Sequence, residues 1–235
     1  MGAVSCAITE AADGNRPHTL VRGCRLMGWG VLQDRSPWWM GECAIAYDLE
    51  LDVAWWKAME VGPDLGPGLP SVAILAVFDD PATGLRYLTG TSHLPSAVEG
   101  DMARKRHTQR VGAYQRAALN YRREVRKARR KHRPDVSAVG ADWNLNGLHL
   151  WARVYIRSLL PGHRLLWSRK GGTHGPRQID LFLVWLSKKA RRVLRRPVRS
   201  RILPKHRHSD HRGVALQLRL RRRRRRILTT TKEKP

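Results

Sequence analysis

The chain has 235 residues, 42% of them hydrophobic, with 45 Lys+Arg against 19 Asp+Glu and a formal net charge of +26. That apolar share is enough for a packed core, which excludes a wholly disordered chain, and the length suits one domain or at most two. No run approaches the ~18 unbroken apolar residues of a membrane-spanning helix, and residues 1–10 (MGAVSCAITE) lack the basic start of a secretory signal. In chain order, Val4–Ile8, Arg25–Leu32, Cys43–Val53, Val72–Phe78 and Arg86–Ser92 read as strands. They are short, rich in β-branched or aromatic residues, and bounded by Gly, Pro, Asp or Asn. A long helix follows within Ala97–His132, because Val111, Tyr114, Ala118, Tyr121, Val125 and Ala128 step by three or four under an Arg- and Lys-coated face. Val136–Ala141 is the next strand, Leu148–Leu160 a helix stopped by Pro161-Gly162, and Ile179–Trp185 and Val214–Leu220 are the last strands. Asp64–Pro70 and Arg169–Pro176 read as loops. Strands interleaved with helices predict one layered α/β domain over 1–220. The six-arginine run Arg221–Arg226 and its polar end predict a basic, disordered tail over 221–235.

The charge is partitioned. Residues 1–101 hold 6 basic and 13 acidic residues, whereas residues 102–235 hold 39 basic and 6 acidic. A basic half of that kind attracts polyanions, nucleic acid first among them. Arg outnumbers Lys 35 to 10, and the alternative reading of the excess is codon bias, since GC-rich coding alone can produce it. The three cysteines, Cys6, Cys24 and Cys43, are odd in number and lack paired metal spacing. They read as reduced thiols in a cytoplasmic protein.

The few acids of the basic half fall in telling places. Asp142 ends VSAVGAD and precedes Trp143-Asn144, Asp180 sits in RQIDLFLVW, and Asp210 stands in HSDH before the GVALQL strand. A carboxylate beside a buried strand is costly unless it is paired or holds a cation. Each one alone fits an N-cap or turn aspartate. Three at strand ends from distant parts of the chain, with Asn144 and His211 beside two of them, point to convergence at one end of a sheet.

GADWN at 140–144, RQID at 177–180 and HSDH at 208–211 resemble the three C-terminal motifs of the endonuclease/exonuclease/phosphatase superfamily. TSHLPS at 91–96 is similar to the strand-end histidine motif of its deoxyribonuclease I-like branch, and AITEA at 7–11 to the strand that ends in its metal-binding glutamate. The resemblance spans Val4 to about Leu220 and implies a four-layer α/β sandwich, two packed mixed β-sheets flanked by helices. It implies a Mg²⁺-dependent phosphodiesterase, most simply a DNA nuclease, with Mn²⁺ as the alternative ion. Glu10 would bind the metal, with Asp142 and Asp210 near it, because hard oxygen ligands suit Mg²⁺. Asn144 would donate to a phosphate oxygen, and His211 would be the general base, with a reference pKa near ~6.5 that suits proton transfer. Asp180 would fix its tautomer, and His93 would be a second histidine facing the phosphate. His206 and His208 read as surface residues, since Mg²⁺ avoids imidazole. The expected partner is nucleic acid, DNA in the first place, with no membrane and no obligate protein partner. The basic helix within 104–131 and the segment 188–207 are expected to wall the acidic site. The alternatives are a phosphatase of phosphoinositides or other small phosphoesters, and a catalytically weakened protein that only binds nucleic acid. The family usually opens with a strand carrying an asparagine, whereas only nine residues precede Glu10. The expectation is that the natural product begins upstream of Met1, or that this chain is a weakened enzyme.

Overall fold

The structure is a computed structural model that describes residues 5–9, 18–33, 43–62, 70–95, 107–167, 172–205 and 212–220. Its centre is a six-stranded mixed sheet made of β4 (Asp52–Gly62), β5 (Ser71–Asp80), β6 (Leu85–Ser92), β7 (Val136–Asp142), β8 (Arg164–Leu166) and β9 (Asp180–Leu186). The order is β4-β5-β6-β7-β9-β8, with β6 and β7 parallel and the other pairs antiparallel. The parallel step follows from the long helix α2 (His107–His132), which carries the chain back from the end of β6 to the start of β7.

The interior strands are buried on both faces, and alternation sorts their side chains. Ala73, Leu75 and Val77 of β5 and Val139 and Ala141 of β7 join one core with Tyr114, Ala118, Tyr121, Val125 and Ala128 of α2, and with Ala152, Ile156 and Leu159 of α3 (Leu150–Leu159). The expected helical stripe is thus the buried one. Ile74, Ala76 and Phe78 turn the other way, toward Leu32 of β2 (Trp29–Gln33) and Cys43 and Ile45 of β3 (Cys43–Asp48). Ala138, Phe182 and Val184 meet Val198 of β10 (Leu194–Lys205) and Val214 and Leu216 of β11 (Arg212–Leu220). Two small antiparallel sheets, β1-β3-β2 with β1 at Ser5–Thr9, and β10-β11, therefore form the second layer, while α2 and α3 cover the opposite face. Helix α1 (His18–Leu26) packs beside β2. This is the sandwich of sheets flanked by helices that the sequence predicts.

Two elements differ from expectation. Arg25 and Leu26 close α1, and Gly28 at φ 75 turns the chain, so the strand begins only at Trp29. Cys43–Val53 is two strands: Asp48 accepts the Glu50 N–H on Oδ1 and the Leu51 N–H on its carbonyl, which makes a turn between β3 and β4. The helix α1, β4 beyond Val53, the short strand β8, the helix α4 (Lys188–Val193) and the strand β10 were not predicted. The loop at 64–69 and the tail at 221–235 lie outside the described residues.

Candidate active site

At the end of β6 the chain passes through Ser92 to His93, and at the end of the parallel β7 it reaches Asp142. His93 forms a parallel bridge with Asp142, and its Nε2 stands 3.8 Å from Asp142 Oδ2. Strand β9 runs the other way and starts there, with Asp180 the direct partner of Asp142. Opposed residues of an antiparallel pair share a face. Asp142 keeps step with Ala138 and Asp180 with Phe182, so both carboxylates lie on the face that the second layer covers. His93 keeps step with Leu85 and Tyr87, which face the same way. The three side chains converge between the layers at one end of the sandwich.

Asn144 is tied into this group. Its backbone N–H donates to Asp142 Oδ1 at 2.8 Å, and its side-chain Nδ2 donates to the Leu94 carbonyl at 2.7 Å. It sits at φ 48, a left-handed conformation that asparagine tolerates better than most residues. Asp142 is 1% exposed and Asn144 7%, so both polar groups depend on these bonds. Trp143 between them points into the helix-side core and donates Nε1–H to the Leu181 carbonyl at 3.1 Å. From α2, Tyr114 donates its hydroxyl to the Trp143 carbonyl at 2.7 Å and Tyr121 to the Gly140 carbonyl at 2.9 Å. Gly90 makes room for the second of these, since a Cβ there would come within 2.9 Å of the Tyr121 oxygen and 2.6 Å of Leu75.

Sequence reasoning overlooked two neighbours. Arg177, quoted in RQID without a role, donates from Nη2 to the Asn144 carbonyl at 3.2 Å. Thr173 is buried, and its Oγ1 accepts the backbone N–H groups of Ile179 and Asp180 at 3.0 and 3.1 Å, which fixes the entry to β9. The signal for Arg177 was its place three residues before Asp180; nothing in the sequence marks Thr173.

Glu10, Asp210, His211, His206 and His208 lie outside the described residues. The elements that lead to them are described. Strand β1 packs against β6 and β7. It ends at Thr9, paired with Cys43, whose Sγ donates to the Val72 carbonyl that also accepts the His93 N–H. Strand β10 starts beside Val136, reaches Ala138 and Phe182 with Val198, and so runs toward the end of the sheet that holds Asp142 and Asp180. Among the described residues no three His, Cys, Asp or Glu side chains stand close enough to hold a metal ion.

Of the expected basic walls, the start of α2 and the course of β10 lie toward the site, and the rest do not. Tyr114, near the start of α2, lies at the site, but the helix then runs away from it, and its last turn, Arg129–His132, stands by Arg86 at the opposite end. Helix α4 is at that far end as well, where the Ser187 N–H donates to the Asp135 carbonyl.

No protein-family model and no curated protein matches the chain. Solved structures do. An endonuclease/exonuclease/phosphatase family protein from Bacteroides thetaiotaomicron superposes with a TM-score of 0.58 at 14% identity, over 85% of this chain and 78% of the other. The mannosyl-6-phosphatase of the same organism gives 0.61 at 12% identity, over 92% of this chain and 99% of that one. D. rerio TDP2 complexed with a single-strand DNA product gives 0.56 at 12% identity, over 90% and 84%. The chain has the endonuclease/exonuclease/phosphatase fold.

Proposed function

We propose that the chain is a metal-dependent phosphoester hydrolase, and specifically a nuclease acting on DNA. The observation that carries this reading is the convergence of His93, Asp142, Asn144 and Asp180 between the layers at one end of the sandwich. The donors are hard oxygens, which suits Mg²⁺ or Mn²⁺. Asp142 would hold the ion together with Glu10 and Asp210, and the bound ion would offset the negative charge that develops on the phosphoryl oxygens. His211 takes the proton of the attacking water, and Asp180 accepts from its other ring nitrogen and keeps the tautomer fixed. Asn144 has two amide N–H groups. One is committed to the Leu94 carbonyl, and the second serves a phosphate oxygen. His93, held by its backbone bond to Val72, stabilises charge on the same phosphate.

Similarity to TDP2 in complex with a DNA product supports DNA as substrate, as does the excess of 39 basic over 6 acidic residues after Asp101. Similarity to a mannosyl-6-phosphatase favours a second reading, a phosphatase of small phosphoesters. The test is an assay of the full chain with plasmid, linear duplex and single-stranded DNA, and with p-nitrophenyl phosphate, each with Mg²⁺ and with chelator. DNA cleavage that needs Mg²⁺ and disappears in folded Asp142→Ala and His211→Ala supports the nuclease. Phosphate release without DNA cleavage moves the assignment to the second reading. Activity that survives in both variants overturns the site.

A further inference from the structure

At the end of the sandwich opposite the candidate active site, the last turns of α2 and the edge strand β4 enclose an open groove of about 660 Å³. Its walls carry Lys57 from β4 and Lys127, Arg130 and Lys131 from α2, around the rings of Trp55 and His132. The rings stack at 4.8 Å between centroids with 29° between planes. One carboxylate, Glu124, enters the groove. It is bonded to Lys127 at 2.8 Å and lies 3.8 Å from Lys57 and 3.5 Å from Arg123, and the Lys127 bond above all holds it below its ordinary pKa. The groove is therefore positive by three charges. Burial, then Lys131 and Arg86, hold the His132 ring below its ordinary pKa, so it is a neutral plate at pH 7.

The helix macrodipole explains basic residues in the last turn of α2. It does not explain Lys57, which comes from a different element and shares the single carboxylate Glu124 with Lys127, so that one negative charge faces four cations. Exposed cations this close repel one another, and a row of phosphates would relieve them. Trp55 packs on the helix-side core and stacks on His132, and both rings line the groove; only an unpaired base can extend such a stack, since a duplex presents backbone and base edges. Upstream on α2, Arg116, Arg122, Arg123 and Arg126 continue the positive surface toward Tyr114 and the candidate site, about 27 Å away for 18 residues at 1.5 Å each.

We propose that this groove binds a single-stranded nucleic-acid segment, its phosphates on Lys57, Lys127, Arg130 and Lys131 and one base on the stacked Trp55–His132 pair. The binding is separate from catalysis and does not rest on the reaction proposed above. The experiment is fluorescence anisotropy of a labelled dT16 with the full chain, in chelator and across a salt series. Arg130→Gln with Lys131→Gln should reduce the slope of log affinity on log salt by about 1.4, near ~0.7 for each phosphate no longer neutralised. Lys188→Gln with Arg191→Gln, two exposed cations of α4 outside the groove, should leave the slope unchanged. The native chain should prefer dT16 over an abasic strand of equal length by about 10-fold, and Trp55→Leu should remove that preference while Trp55→Phe keeps most of it. A melting temperature for each variant verifies the fold. An unchanged slope in the groove variant, an equal loss in the α4 variant, or an abasic strand bound as tightly as dT16 overturns the proposal. A chain that hydrolyses nothing but passes these tests leaves it intact.

Discussion

Replacing Asn144 separates two contributions that the structure assigns to it. Its side chain satisfies the Leu94 carbonyl at a position 7% exposed, and losing that bond costs about 1–3 kcal/mol. Its backbone holds φ 48, which costs alanine about 1–2 kcal/mol and glycine almost nothing. Glycine in turn loses about 0.4–1 kcal/mol through the greater freedom of the unfolded chain. Both variants therefore lose the bond, and alanine should be the worse by about 0.5–1 kcal/mol. Expected totals are about 2–5 kcal/mol for Asn144→Ala and about 1.4–4 kcal/mol for Asn144→Gly, large against the ~5–15 kcal/mol stability of a domain. Urea unfolding at pH 7 with a shared m-value measures both. If alanine equals or exceeds glycine in stability, the left-handed backbone is not what selects asparagine here. If both variants fall within about 0.5 kcal/mol of the parent, the bond from Asn144 to the Leu94 carbonyl contributes nothing and the reasoning fails.

Other outcomes follow from single contacts. His163 is 6% exposed, bonded through Nε2 to Ser137, and its pKa is lowered to about 4, by burial first and then by Arg129. Its neutral form is favoured on folding, so its contribution is complete above its unfolded pKa of ~6.5 and is lost as pH falls toward 4. The slope is ~1.4 kcal/mol per pH unit and the total about 3 kcal/mol; His163→Asn should flatten the stability curve in that window, and an unchanged curve shape would place the acid sensitivity elsewhere. Tyr114→Phe leaves the buried Trp143 carbonyl without its 2.7 Å donor and should cost about 1–2 kcal/mol in denaturant unfolding, with hydrolysis of DNA lowered more than in Tyr155→Phe. Gly90→Ala drives a methyl group against Leu75, Val139 and the Tyr121 hydroxyl and should cost about 1–3 kcal/mol; a neutral effect in thermal melting would mean that α2 does not lie so close to β6.

The sequence was most legible where burial is complete. Val136–Asp142 is covered on both faces, so a mostly apolar run ending in an aspartate announced both a central strand and its site residue. It was least legible at the sheet edges. Strand β4 is half-exposed and carries Lys57 and Glu60 among its apolar residues, so its strand character rests on pairing with β5, which no local pattern reveals. Strand β10 holds Pro197 and Pro204 among arginines and reads as a basic loop, yet it pairs with β11 across register shifts between Arg195 and Arg199 and between Ile202 and Lys205. Arg177 stands three residues before Asp180, but its role depends on where the Asn144 carbonyl points, which no local pattern reveals.

Register explains why the buried tyrosines of α2 belong to the account of the site. A slip of β7 by one residue against its neighbours would exchange its two faces. Asp142 would then turn toward Tyr114, Tyr121 and Ala152, into a largely apolar core, at a cost of several kcal/mol. Trp143 would turn outward and lose its packing. The hydroxyls of Tyr114 and Tyr121 reinforce the native register, since each is buried and each meets a backbone carbonyl of the β7 end, at Trp143 and Gly140. After a slip those carbonyls would no longer stand beneath them, leaving two buried hydroxyls and two carbonyls unsatisfied. The same helix face that builds the core thus decides which way Asp142 points. Charge placement in the candidate site is a consequence of apolar packing on the far side of the sheet.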